Sequence, residues 1–150
     1  MKKTRKIISL ILLISFIYYN IAYSADKKEE LNQYVMKVNP ILLNVLATAR
    51  NISQRFFTLE AGMKQVDDYL KSLKAIKPPN FMAKQHKMIL LAFKKMRMGF
   101  YLLAHGKDKA MAISLVKRSG ELLRIAGREI VDFADKEGLL KKKEQGGIKK

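Results

Sequence analysis

The sequence predicts an all-α protein, folded as an antiparallel up-down-up-down four-helix bundle. Three observations predict it. Apolar residues recur at intervals of three and four along four stretches, the spacing that lines one face of a helix. The breaks between those stretches are short, which makes neighbouring helices antiparallel. No stretch alternates apolar and polar residues long enough for a strand.

The first stripe runs Leu31, Tyr34, Val35, Val38, Leu42, Val45, Leu46, Ala49, Ile52 and Phe56. Pro40 falls inside it. Either Asn39 caps a fresh start with Pro40 in the first turn, or one long helix kinks at the proline. The stripe keeps its phase through Pro40, which favours the kinked single helix. The second helix starts near Thr58, an N-cap residue, with Glu60 in the first turn, where negative charge suits the helix dipole. Its stripe is Leu59, Met63, Val66, Leu70 and Leu73, with Ile76 at the edge. Pro78-Pro79 ends it, because proline cannot continue the hydrogen-bond ladder.

A third helix begins at Pro79 or Asn80, with the stripe Met82, His86, Ile89, Leu90, Phe93, Met96, Phe100 and Leu103. Gly106 stops it. Asp108 caps a fourth helix with the stripe Met111, Leu115, Ser119, Leu122, Ala126, Ile130 and Phe133. Gly138 stands just past its end, where a C-terminal glycine belongs. The bundle domain is expected over residues 25–137, and the lysine-rich 138–150 segment as a disordered tail.

Residues 1–24 read as a secretory signal peptide. Lys2, Lys3, Arg5 and Lys6 precede an apolar run from Ile7 to Tyr19, and Ala22-Tyr23-Ser24 supplies small residues for cleavage after Ser24. The run is shorter than the roughly 20 residues a membrane-spanning helix needs. The expected address is periplasmic or secreted, with no transmembrane helix after cleavage.

Composition narrows the chemistry. The 150 residues hold 30 Lys and Arg against 13 Asp and Glu, a formal charge of +17. Four of those bases lie in the leader, leaving 26 against 13 acids, near +13. Such a charge attracts polyanions and says nothing about fold. There is no cysteine, which excludes disulfides, thiolate metal sites, covalent c-type haem and a lipoprotein anchor.

The layout resembles the small periplasmic four-helix-bundle b-type cytochromes. The resemblance rests on the Lys77-Pro78-Pro79 junction, the Leu103-Ala104-His105-Gly106-Lys107 turn and the alanine-bearing last helix. Those cytochromes hold haem with a methionine near the mature N-terminus and a histidine late in the last helix. By spacing these fall near Leu31 and Ala126, neither of which ligates iron. The resemblance thus implies the fold and not the activity. Pro78, Pro79 and His86 also resemble small exported helical proteins with a Pro-Pro pair followed by His, which implies a bundle and no known chemistry.

His86 and Met82 are the candidate cofactor-binding residues, since His and Met are familiar axial ligands to haem or copper. The competing reading is a histidine satisfied by a carbonyl or an acid (Glu129, Asp132 or Asp135) at the same end of the bundle. His105 lies nineteen residues on, about 28 Å along a helix, so the two histidines share no metal within one chain. Met63, Met82, Met96 and Met111 read as core gap-fillers rather than a copper site. Asp67-Asp68 reads as a solvated acidic pair.

No catalytic constellation is present: the Glu-x-x-His pairs of di-iron bundles, His-Glu-x-x-His, a P-loop and Gly-x-Ser-x-Gly are all missing. The sequence therefore predicts no enzyme and no assigned metal. The basic residues are the remaining signal. Lys84, Lys87, Lys94, Lys95 and Arg97 on helix three, with Lys117, Arg118, Arg124 and Arg128 on helix four, form a candidate anion-binding surface. The partner expected is an anionic envelope polymer, a membrane surface or another protein. Nucleic acid fits the charge alone, without a binding motif to support it. A haem- or metal-binding bundle using His86 is the alternative.

Overall fold

The computed structural model describes residues 25–54 and 56–138, with side-chain exposure from residue 27. Four α-helices occur among them: α1 (Ala25–Ser53), α2 (Leu59–Ala75), α3 (Ala83–Ala104) and α4 (Lys109–Lys136). One 3₁₀ turn, Asn80–Met82, leads into α3. The described residues contain no strand. The leader and the tail from residue 139 lie outside the described residues.

Side-chain contacts fix the directions. Ile52 of α1 lies against Gly62 of α2, and Thr48 meets Gln65 and Tyr69, so those two helices run antiparallel. Arg97 of α3 meets Asp67 of α2, and the Leu73 backbone lies against His86. Lys84 and Gln85 at the start of α3 meet Glu129 late in α4, whereas Gly99 lies against Ala112 and Val116 near the start of α4. Lys27 near the start of α1 reaches Glu137 just past the end of α4. The chain is therefore an up-down-up-down bundle.

The helix ends follow local chemistry. The Thr58 hydroxyl accepts from the Ala61 N–H at 3.1 Å, and the Asp108 carboxylate accepts from the Met111 N–H at 2.9 Å. Each satisfies one donor that the first helical turn leaves unpaired. α2 ends at Ala75, ahead of Pro78-Pro79. Gly106 and Gly138 close α3 and α4 at φ +62° and +68°, a region glycine enters without steric cost. α1 runs unbroken through Pro40, as the phase of its stripe predicts.

The core gathers Leu31, Tyr34, Val38, Val45, Val66, Leu73, Met82, Ile89, Phe93 and Ile130 among others. Burying a side chain such as Phe93 contributes about 1.5–3 kcal/mol. The stripes need correction at three places. Met111 is exposed, and Ala112 takes the core position beside it. Phe56 lies beyond the end of α1 and is the most exposed large apolar side chain described. On α3, buried Gln85, Ala92 and Gly99 widen the stripe toward α4.

That widening explains the closest pairing in the bundle. Gln85, Ala92 and Gly99 are seven residues apart on α3, and Ala112, Ser119 and Ala126 are seven apart on α4. All six are buried. A seven-residue repeat keeps a seam in register as helices supercoil, and small side chains let backbones approach. A Cβ added at Gly99 would stand 2.9 Å from the Ala112 carbonyl oxygen and 2.7 Å from Val116 Cγ2.

Candidate functional site

His86 sits one turn into α3, with Met82 one turn before it. Met82 is fully buried and His86 is 5% exposed. The Nδ1 atom of His86 lies 3.2 Å from the Tyr34 hydroxyl, and the two rings meet edge to face at 5.8 Å. Of the carbonyl or acidic partner expected, the carbonyl is present: a backbone hydrogen bond to Leu73 favours the charged ring. The Tyr34 hydroxyl of α1 is a second partner, which the sequence did not indicate. Glu129 is committed elsewhere, to Lys84 at 2.8 Å and Gln85 at 2.9 Å.

Electrostatics follow from this geometry. Burial lowers the His86 pKa below its usual value, because desolvation disfavours imidazolium, and the Leu73 backbone opposes the shift. Burial raises the Tyr34 pKa, keeping that hydroxyl protonated. The hydrogen bond from Lys84 holds Glu129 below the usual carboxylate range, against the effect of burial, and Gln85 adds to it. The described residues contain no group of three or more His, Asp or Glu placed to hold a metal ion. His105 lies at the far end of α3, with its Nδ1 2.9 Å from the Tyr101 carbonyl oxygen.

Sequence reasoning missed a cleft beside this end. Glu30, Gln33, Tyr34 and Lys37 of α1 face Lys77, Pro78, Pro79 and Asn80 across about 310 Å³. The Pro-Pro junction was legible; that α1 stands opposite it was not.

The nine candidate anion-binding residues divide by what they touch. Lys84 is paired with Glu129, Arg97 with Asp67 at 2.7 Å, and Arg118 with Glu121 at 2.9 Å. Asp67 is thus an ion-pair partner rather than a solvated acid, and its hydrogen bond strengthens the basicity of Arg97. Lys87, Lys94, Lys95, Lys117, Arg124 and Arg128 have no partner among the described residues. Lys87 and Lys94 lie on the outward face of α3 with exposed Leu91 and Met98 between and beyond them. Lys117, Arg124 and Arg128 lie on the outward face of α4.

Comparison with protein-family models, curated proteins and solved structures finds no match. The cytochrome resemblance therefore has no support beyond the four-helix architecture. Leu31 and Ala126, which stand where the haem ligands would, are both buried core residues. No described helix is long and apolar enough to cross a membrane.

Proposed function

We propose that this chain is an exported, non-enzymatic binding protein whose basic helix faces hold an anionic component of the cell envelope. One observation supports it above the rest: six of the nine candidate bases, including Lys87, Lys94 and Lys117, have no carboxylate partner. An ammonium or guanidinium group that is not already engaged is available to an incoming anion, and the charge near +13 that remains once the leader is removed raises the rate of encounter. In this reading His86 is a structural residue that ties α3 to α1 through Tyr34.

The test compares charge reversals. Binding of the bundle to polyphosphate is measured at low ionic strength, where a charge-driven contact must appear. Reversing Lys87, Lys94 and Lys117 to Glu is expected to abolish binding. Reversing the paired Lys84, Arg97 and Arg118 gives a smaller loss, because part of their charge already serves Glu129, Asp67 and Glu121. Equal losses from the two triple variants, or no binding by the parent protein, would refute the reading. A mass starting at Ala25 in exported material is expected for the address.

A further inference from the structure

The bundle is polarised along its axis. The α1–α2 connection and the α3–α4 turn share one end, because α2 and α3 run antiparallel, with Arg97 against Asp67 and His86 against Leu73. Four exposed large apolar side chains gather toward it. Phe56 in the α1–α2 connection is 74% exposed, Met111 is 52%, Met98 is 45% and Ile113 is 40%. Bases lie near the same helix ends. Arg50 closes α1, Lys107 reaches over the Tyr101 ring at 5.5 Å, and Lys109 opens α4.

Carboxylates are scarce at this end. Residues 46–65 and 94–121 hold only Glu60, Asp108 and Glu121, and Asp67 of α2 reaches the same level only to pair with Arg97. Asp108 is spent on the Met111 N–H and Glu121 on Arg118. The opposite end carries more acids, Glu29, Glu30, Glu129, Asp132, Asp135 and Glu137, yet bases such as Lys27, Lys28, Lys77, Lys84, Arg128 and Lys136 offset them, so it is less basic rather than acidic. Helix direction produces this division, since α1 begins and α4 ends at the end richer in acids.

We infer that the Phe56 end docks on an anionic lipid bilayer, with Phe56, Met111 and Ile113 entering the interface and Arg50, Lys107 and Lys109 against the headgroups. This rests on the proposed anion-binding role and names its partner. Charge complementarity selects an anionic surface, and the larger excess of bases at the Phe56 end turns that end toward it. The apolar side chains select a bilayer over a soluble polyanion. Phe56 and Met111 are exposed near the helix ends, and Ile113 lines a cleft with Lys117 and Arg118, so apolar side chains able to enter among acyl chains are flanked by bases as at membrane interfaces. A soluble polyanion gives Phe56 nothing apolar to enter.

The chain has no tryptophan, so one substitution makes a site-specific reporter. Phe56→Trp is titrated with vesicles of phosphatidylglycerol and phosphatidylcholine, and with phosphatidylcholine alone. Met36→Trp, on the exposed face of α1 away from this end, is the control. The expected result is a blue shift at Phe56→Trp with the anionic vesicles only, and none at Met36→Trp. Adding Lys107→Ala and Lys109→Ala is expected to weaken vesicle partitioning about 25-fold, at roughly fivefold per base near an anionic surface. No shift at Phe56→Trp, an equal shift at Met36→Trp, or an equal response to neutral vesicles would overturn the inference. Polyphosphate binding separates the two claims. If polyphosphate binds and Phe56→Trp stays unshifted on vesicles, the bilayer fails and the anion-binding reading stands. If neither binds, both fail.

Discussion

His86 carries the pH behaviour of the core. Its imidazole is buried against the Tyr34 hydroxyl, and desolvation lowers its pKa in the folded chain. The unfolded chain returns it to water, near pKa 6.5. Between those two values the unfolded state binds the extra proton, so stability rises with pH there and falls as pH drops through 6.5 toward the folded value. The urea midpoint is therefore expected to be lower at pH 5.5 than at pH 7.5, and His86→Gln to reduce that difference. Equal midpoints for the parent protein at both pH values would contradict the assignment. The apolar spacing placed His86 in the core of α3. Its partner was not readable, because Tyr34 is 52 residues away and only the diagonal placement of α1 against α3 brings them together.

At the scale of elements, caps and breaks were the most legible features. Thr58, Asp108, Gly106 and Gly138 act locally, within a turn of their own backbone, so their chemistry survives without tertiary knowledge. The α3–α4 seam was less legible. Gln85, Ala92 and Gly99 do not read as an apolar stripe, yet their seven-residue spacing is the signal of a close approach. Gly99 tests that approach. Replacing glycine by alanine inside a helix normally gains about 1 kcal/mol. At Gly99 the new Cβ would press on the Ala112 carbonyl and Val116, and overpacking costs about 1–3 kcal/mol. Backbone cannot swing aside as a flexible side chain can, so the cost wins and Gly99→Ala is expected to lower the melting temperature. Gly120→Ala is the counterpart: nothing stands within 4 Å of its Cβ position, and it is expected to stabilise the fold by about 1 kcal/mol. Calorimetry on the pair separates a steric seam from a general effect of helical glycine. Similar shifts of the same sign would remove the close-approach account.

For the whole molecule, charge sets a balance that the sequence totals alone do not resolve. They gave the sign and size, but not which bases are engaged, since pairing across helices depends on the bundle directions. The pairs Lys27–Glu137, Lys84–Glu129 and Arg97–Asp67 join residues 110, 45 and 30 positions apart. These pairs lie at the surface, where each contributes about 0–1 kcal/mol and weakens in salt. Opposing them is the mutual repulsion of a chain that keeps a charge near +13 without its leader, which favours expansion. Salt screens both, but the excess of like charge outweighs a few exposed pairs. Raising ionic strength from about 0.01 to 0.15 M shortens the screening length from roughly 30 to 8 Å. The melting temperature is therefore expected to rise over that range, and polyphosphate at low salt to raise it further by binding the folded state preferentially. A melting temperature that falls with added salt would mean that the cross-helix pairs, rather than the unpaired bases, dominate the surface. The case for an anionic partner would then lose its energetic basis, because its bases would already be satisfied within the chain.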